Sequence, residues 1–190
     1  MNITAVLLAG GESRRMGKDK TTLLFRGKPL WKLQLELLGK LQPSEIFVSA
    51  RTAPSWRPDN VQFIEDASPS RGPLSGLAAS LAKMCTEHLL ALAIDMPFMT
   101  EIFLRNLCNQ IEPGCGIVPI IADRAEPLAA IYPREAEIGF RDALAGSDFS
   151  LQRLVRRLIE TGNLREMPVA EQEQRLFFSV NDPSDLMALL

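Results

Sequence analysis

Between Leu8 and Lys20 the chain reads Leu-Ala-Gly-Gly-Glu-Ser-Arg-Arg-Met-Gly-Lys-Asp-Lys. The Gly10-Gly11 pair, two arginines and two lysines thus share one short loop, directly after an apolar run. These residue types suit a polyphosphate. Glycine lets the backbone approach an anion with no Cβ in the way, successive N–H groups point at it, and cationic side chains neutralise its oxygens. Two common phosphate motifs are excluded. A Walker A loop has the form G-x-x-x-x-G-K-[ST], whereas five residues separate Gly11 from Gly17 and Lys18 is followed by Asp19. The dinucleotide pattern G-x-G-x-x-G is not met by Gly10-Gly11-Glu12-Ser13-Arg14-Arg15 either.

Three further places carry polar groups just after apolar segments. Asp66 closes Ile64-Glu65-Asp66 and leads into Gly72-Pro73-Leu74-Ser75-Gly76. Its carboxylate can accept from the N–H donors of a ligand, or cap its own turn. Asp95 ends the most continuous apolar stretch, Leu89 to Ile94. A bare carboxylate there is costly to desolvate unless it meets a cation, and Mg²⁺ carried on phosphate oxygens is the obvious one. The structural alternative for Asp95 is a helix N-cap ahead of Pro97. The third place is Phe177 to Leu186, which contains Ser179, Asn181 and Asp182.

These groups need a scaffold, and the hydrophobic periodicity supplies one. Strands are expected at Ile3–Leu8, Ile46–Ser49, Val61–Glu65, Leu89–Ile94, Gly116–Ile121, Leu128–Tyr132 and Phe177–Val180. Helices are expected at Leu30–Leu41, Leu74–Met84, Glu101–Gln110, Ala136–Leu144 and Leu151–Thr161, with one more at the carboxy terminus. Such β/α alternation predicts an α/β fold, a three-layer α/β/α sandwich around a mostly parallel, Rossmann-like sheet. Ligands of such sheets bind beyond the carboxyl ends of the strands, where all the residues named above fall. The loops 51–60 and 66–73, rich in proline and glycine, are the ones most open to movement.

A chain of 190 residues, 46% hydrophobic and 23% charged, is expected to form a single domain over residues 1–190. A net charge of −2 excludes a general nucleic-acid binder, yet residues 1–40 hold eight Lys/Arg against three Asp/Glu. Positive charge therefore concentrates where an anion would bind. Cys85, Cys108 and Cys115 have neither the number nor the spacing of a disulfide framework or zinc site, and are expected to be small buried residues. No run approaches the roughly 18 apolar residues of a membrane span, and no leader precedes the first strand, so a soluble cytoplasmic protein is expected. The sole histidine, His88, follows Thr86-Glu87 at an expected helix end. Interaction with the helix dipole accounts for it without a catalytic role.

The Leu8–Lys20 string resembles the signature L-A-G-G-x-S-x-R-M-G-x-D-K of the GT-A-like nucleotidyltransferases, in particular the molybdenum cofactor guanylyltransferases of the MobA type. Glu65-Asp66 with Gly72-Pro73-Leu74-Ser75-Gly76 resembles the family's E-D and G-P-L-x-G, and Asp95-Met96-Pro97 its D-x-P. Glu126-Pro127-Leu128-Ala129-Ala130-Ile131-Tyr132 resembles its acceptor-side strand. The resemblance implies the nucleotide-diphospho-sugar transferase fold and transfer of GMP from Mg-GTP to molybdenum-bound molybdopterin. It implies that Leu8, Ala9, Gly10 and Gly11 meet the nucleotide, with the first three on the base and ribose side, and that Arg15 and Lys20 serve the triphosphate. Asp66 is implied to contact guanine or ribose, Gly72 and Gly76 to let backbone and helix pack close to the nucleotide, and Asp95 to hold the catalytic Mg²⁺. Asn181 would position the phosphate and metal side. Asp182 is either an extra metal ligand or the cap of the last helix, and the cap is favoured.

Ser49 falls where the family often carries asparagine, and Ser179 replaces another. Transfer from CTP, or to a small phosphorylated acceptor, therefore stays open beside GTP, as do contacts with other molybdenum cofactor proteins. A nucleotide-binding regulator without turnover is a third reading, against which Lys20 and Asp95 argue. In the reaction an acceptor phosphate oxygen attacks the α-phosphorus in line and pyrophosphate leaves. Arg15, Lys20 and Asp95 act by positioning and electrostatics, because a lone imidazole offers no nucleophile set.

Overall fold

The computed structural model describes residues 2–10, 23–180 and 185. β1 (Ile3–Leu8) is buried along its whole length and pairs in parallel with β4 (Glu45–Ala50) on one side and β6 (His88–Ala93) on the other. A strand covered on both faces must be apolar on both. Accordingly Ile3, Ala5 and Leu7 enter one core cluster while Val6 and Leu8 enter the other. Thr4, the polar exception, donates through its hydroxyl to Glu45 Oε2 (2.9 Å) and shares a hydrogen bond with Thr86 Oγ1 (2.8 Å).

Among the described residues the sheet runs β10-β7-β9-β6-β1-β4-β5, with β5 (Gln62–Glu65), β7 (Gly116–Ile121), β9 (Ile131–Pro133) and β10 (Leu164–Pro168). The pairs β5·β4, β4·β1, β1·β6 and β7·β10 are parallel. β9 runs antiparallel between β6 and β7, and the short β8 (Arg124–Ala125) pairs antiparallel with β7. Helices α1 (Leu30–Lys40) and α3 (Glu101–Cys108) pack on one face. Helices α2 (Pro73–Lys83), α4 (Ala136–Ala145) and α5 (Leu151–Glu160) pack on the other. The three-layer, mostly parallel architecture is thus as expected. Each leucine these helices bury, such as Leu38, Leu77 or Leu104, contributes about 1.5–3 kcal/mol of transfer free energy.

Several local expectations need correction. Phe177–Val180 is not a strand: a 3₁₀ helix (Glu171–Phe177) runs into extended chain that pairs with no strand. Its apolar side chains pack instead, with Phe177 edge-to-face on Phe103 at 5.2 Å. The strand β10 is unforeseen because Arg165 and Glu166 are exposed on a sheet edge, so its pattern carries little hydrophobic signal. A hairpin of β2 (Leu24–Phe25) and β3 (Lys28–Pro29) is also new, turned by Arg26 (φ +50°) and Gly27 (φ +78°). Residues 128–130 are not regular strand, although the Leu128 and Ala130 carbonyls accept from Ala93 and Ala91. His88 opens β6 rather than closing a helix, because α2 stops at Lys83. It is buried, with Nε2 3.1 Å from the Glu112 carbonyl and 3.3 Å from that of Cys115. All three thiols are free, but Cys85 is exposed, Cys115 is half-buried, and only Cys108 is buried, which pushes its thiol up to about 11. Among the described residues no helix is long and apolar enough to cross a membrane.

Gly116 is where the sheet tolerates least. A Cβ there would lie 2.0 Å from the Ile131 carbonyl oxygen and 2.9 Å from Pro133 Cδ, so β9 would have to move off β7. Gly116→Ala is expected to cost about 3 kcal/mol or more, the upper end for overpacking, because backbone and not a flexible side chain must yield. Urea denaturation checks this, and a loss below about 1 kcal/mol would contradict the close approach.

Candidate nucleotide site

β5, β4, β1 and β6 lie side by side and point the same way, so the residues just beyond them share one edge of the sheet. Register makes this concrete. Leu8 stands opposite Ser49 on β4 and Ala93 on β6, and Ala50 stands opposite Glu65 on β5. The ladder continues past the strands, with Ala9 N–H donating to Ser49 O (2.9 Å), Ile94 N–H to Leu8 O (3.1 Å) and Asp66 N–H to Ala50 O (3.0 Å). Leu8, Ala9, Gly10, Ser49, Asp66 and Asp95 are therefore gathered on one edge.

At the β5 end the Ser49 hydroxyl donates to Asp66 Oδ1 at 2.8 Å. Ser49 is only 1% exposed, so that bond absorbs its hydroxyl and fixes the carboxylate. Gly10 and Gly76 leave room for the pair. A Cβ on Gly10 would stand 3.0 Å from Asp66 Oδ2, and one on Gly76 would stand 2.6 Å from Ser49 Oγ, 3.1 Å from Asp66 Oδ1 and 3.3 Å from Leu8 Cδ2. Gly72 matters for its backbone: it starts α2 at φ +66°, ψ −144°, a conformation essentially restricted to glycine. Burial raises the Asp66 carboxyl above the usual carboxylate range, opposed by the Ser49 hydrogen bond and the Arg51 charge. Beside it opens a cavity of about 330 Å³ lined by Arg51, Glu65, Asp66, Ser68 and Ser70.

At the β6 end Asp95 sits in the turn after the buried strand, only partly covered. It is not the N-cap of the next helix. Thr100 takes that role, its Oγ1 accepting from Phe103 N–H at 3.3 Å. The turn is held from several sides. Gln34 of α1 donates through Nε2 to the Met96 carbonyl at 2.6 Å, Phe98 packs edge-on against Phe25 and Phe178, and Val180 N–H donates to the Asp95 carbonyl at 2.8 Å. The Phe177–Val180 segment is thereby brought to Asp95. Gln34 was not singled out in the sequence, although it stands one helical turn after Leu30 on the apolar face, where a polar residue is a signal.

Gly11, Arg15, Lys20, Asn181 and Asp182 lie outside the described residues. Among the described residues no group of three or more His, Cys, Asp or Glu side chains could hold a metal by itself. A single carboxylate at a strand end nevertheless fits Mg²⁺, which binds through one or two carboxylates and takes its remaining ligands from water and substrate phosphates. From β6 to β5 the edge spans three inter-strand steps, roughly 14 Å, so Asp95 and Asp66 are spaced to meet opposite ends of one extended ligand.

A mostly parallel sheet with a cavity of about 330 Å³ at one end of its carboxyl edge and the Asp95 carboxylate at the other has the architecture of a class, the α/β nucleotidyltransferases. The model of the MobA-like NTP transferase domain matches residues 5–164, and the chain belongs to that family. It is 32% identical over 186 residues to a probable molybdenum cofactor guanylyltransferase of Opitutus terrae, covering 96% of this chain and 92% of that protein. It is 30% identical over 176 residues to the molybdenum cofactor guanylyltransferase of Syntrophotalea carbinolica, covering 92% and 80%. The crystal structure of molybdopterin-guanine dinucleotide biosynthesis protein A from Archaeoglobus fulgidus superposes with a TM-score of 0.80 at 27% identity, covering 97% of this chain and 95% of that one.

Proposed function

We propose that residues 1–190 act as one domain that transfers GMP from GTP to the phosphate of molybdenum-bound molybdopterin, releasing pyrophosphate and forming a molybdopterin guanine dinucleotide. The observation that supports this is the edge itself, with a hydrogen-bonded, half-buried Asp66 at one end, read as the base end, and Asp95 at the other, read as the phosphate end. Leu8, Ala9 and Gly10 form the floor between them, at the end of β1. Ser49 positions Asp66, Gly72 shapes the turn into α2, and Asp95 would hold Mg²⁺. That ion, when bound, screens the charge of the phosphates. Gly11, Arg15 and Lys20 would complete the phosphate cradle, and Asn181 would follow Val180 to the same region. The protein orients the acceptor oxygen in line with the α-phosphorus and neutralises the charge that develops on the leaving pyrophosphate. The free thiols suit a cytoplasmic, reducing location.

Thermal unfolding with GTP, CTP, UTP and ATP, each with Mg²⁺, tests the donor. GTP is expected to raise the midpoint most, because ligand that binds only the native state stabilises it in proportion to the logarithm of occupancy. A larger shift with CTP would make the chain a cytidylyltransferase instead. Pyrophosphate release on addition of molybdenum-loaded molybdopterin tests the acceptor, and its absence beside full release with a sugar phosphate would overturn that part.

A further inference from the structure

Ser49 and Arg51 stand two residues apart at the end of β4 and serve different ends. Ser49 is buried with its hydroxyl on Asp66, whereas Arg51 is exposed and lines the 330 Å³ cavity together with Asp66, Glu65, Ser68 and Ser70. Because Ala50 pairs with Glu65 in register and Asp66 N–H donates to the Ala50 carbonyl, Arg51 and Asp66 are the next facing pair beyond the ladder. We propose that Arg51 is a specificity-determining residue that reads the acceptor edge of guanine, donating to O6 and N7 while Asp66 accepts from N1–H and N2–H₂. This rests on the reading that the base of the donor nucleotide lies in this cavity.

Charge and hydrogen-bond chemistry both support the assignment. Among the described residues two carboxylates and one guanidinium line the cavity, a balance that disfavours a polyphosphate there and suits a neutral base. Guanidinium donates only and carboxylate accepts only, so the pair complements a ligand whose neighbouring edges present two acceptors and two donors. Guanine does so. Adenine places an N6 amino donor where guanine has O6, which would set donor against donor at Arg51. Cytosine offers Asp66 a single amino group and is one ring shorter, so it cannot span the facing pair as guanine does.

The test is a titration of the whole protein with GTP and with 7-deaza-GTP, which lacks N7 and keeps O6, N1–H and the N2 amino group, in the presence of Mg²⁺. Arg51→Ala is expected to weaken GTP about ten-fold, the size of one bidentate base contact, and 7-deaza-GTP by no more than about three-fold, because that nucleotide has already lost one of the two contacts. Arg51→Lys, which keeps the charge and loses the planar fork, should retain most of the GTP defect. Equal losses for both nucleotides, or full recovery in Arg51→Lys, would overturn the assignment, since either places the charge of Arg51 and not its fork at work. Failure of the underlying reading looks different: Asp66→Ala would then bind GTP as the unmodified protein does. Arg51 is exposed and outside the core, so its variants should fold normally.

Discussion

Replacing Asp95 by alanine is expected to abolish pyrophosphate release, lowering turnover by at least about a hundred-fold to a thousand-fold, while the protein stays folded. The chemical reason is that phosphoryl transfer leaves a protein little to do except place charges, so a carboxylate lost from the place proposed to hold the metal is not made good by shape or packing. Among the described residues no group of three or more acidic, histidine or cysteine side chains could hold a metal in its place. Folding survives because the turn is anchored by other atoms. The Asp95 main-chain carbonyl holds Val180, Gln34 holds Met96, and Phe98 packs on Phe25, none of which needs the Asp95 side chain. The thermal midpoint should therefore move by no more than about 2–4 °C, the shift that roughly 1 kcal/mol produces in a chain of this size. Asp95→Asn separates charge from shape: it should lose turnover as the alanine variant does and keep the midpoint of the parent. Pyrophosphate assays and thermal unfolding of the three proteins decide the matter. Turnover equal to the parent in either variant removes Asp95 from the mechanism.

The reason Asp95 could be found in the sequence is instructive beside what could not. A carboxylate directly after six apolar residues is anomalous on energetic grounds, and the alternation of strand-like and helix-like segments puts it just beyond the carboxyl end of a strand, where the structure has it. Most of the sheet was equally legible, since strands buried on both faces, such as β1 and β6, must be apolar at nearly every position. Elements stabilised by something other than burial were not. β10 is an edge strand with two charged residues outward, and the β2–β3 hairpin depends on the local backbone of Arg26 and Gly27. Phe177–Val180 has the composition of a strand, but its aromatic side chain packs on Phe103 and its last N–H goes to Asp95, a tertiary choice that no local pattern encodes. The same holds for the cavity. Ser49, Asp66, Gly10 and Gly76 come from four separate segments, and only the register of β5, β4 and β1 shows that the serine serves the aspartate and leaves Arg51 facing outward.

Asp66→Asn is expected to weaken GTP about a hundred-fold, the size of one lost hydrogen bond to a charged group and one donor set against a donor, at about 1.5 kcal/mol each, and yet to raise or preserve the stability of the ligand-free protein. Both effects come from the same desolvation. Burial raises the Asp66 carboxyl in the folded state, so the native protein holds its proton to a higher pH than the unfolded chain does. A group shifted in this direction contributes stability that is fully present below its unfolded value and is lost as pH rises through the raised folded value. At neutral pH the ionised Asp66 therefore opposes folding, and an uncharged amide of the same shape removes that opposition. What the carboxylate would supply in exchange is the proposed recognition of guanine, because an asparagine offers one acceptor and one donor where guanine N1–H and N2–H₂ require two acceptors. The pH dependence follows with a definite sign. GTP affinity of the parent should fall as the medium is acidified, beginning above the usual carboxylate range, whereas the Asn variant should bind weakly and with a flatter profile over the interval from neutral pH downwards. Calorimetric titrations with GTP across that interval, paired with thermal unfolding of the ligand-free proteins, measure both halves. An Asn variant that binds GTP as tightly as the parent would place the base elsewhere. One that binds weakly but is also markedly less stable would mean that the Ser49–Asp66 pair holds the fold together and does not serve the ligand.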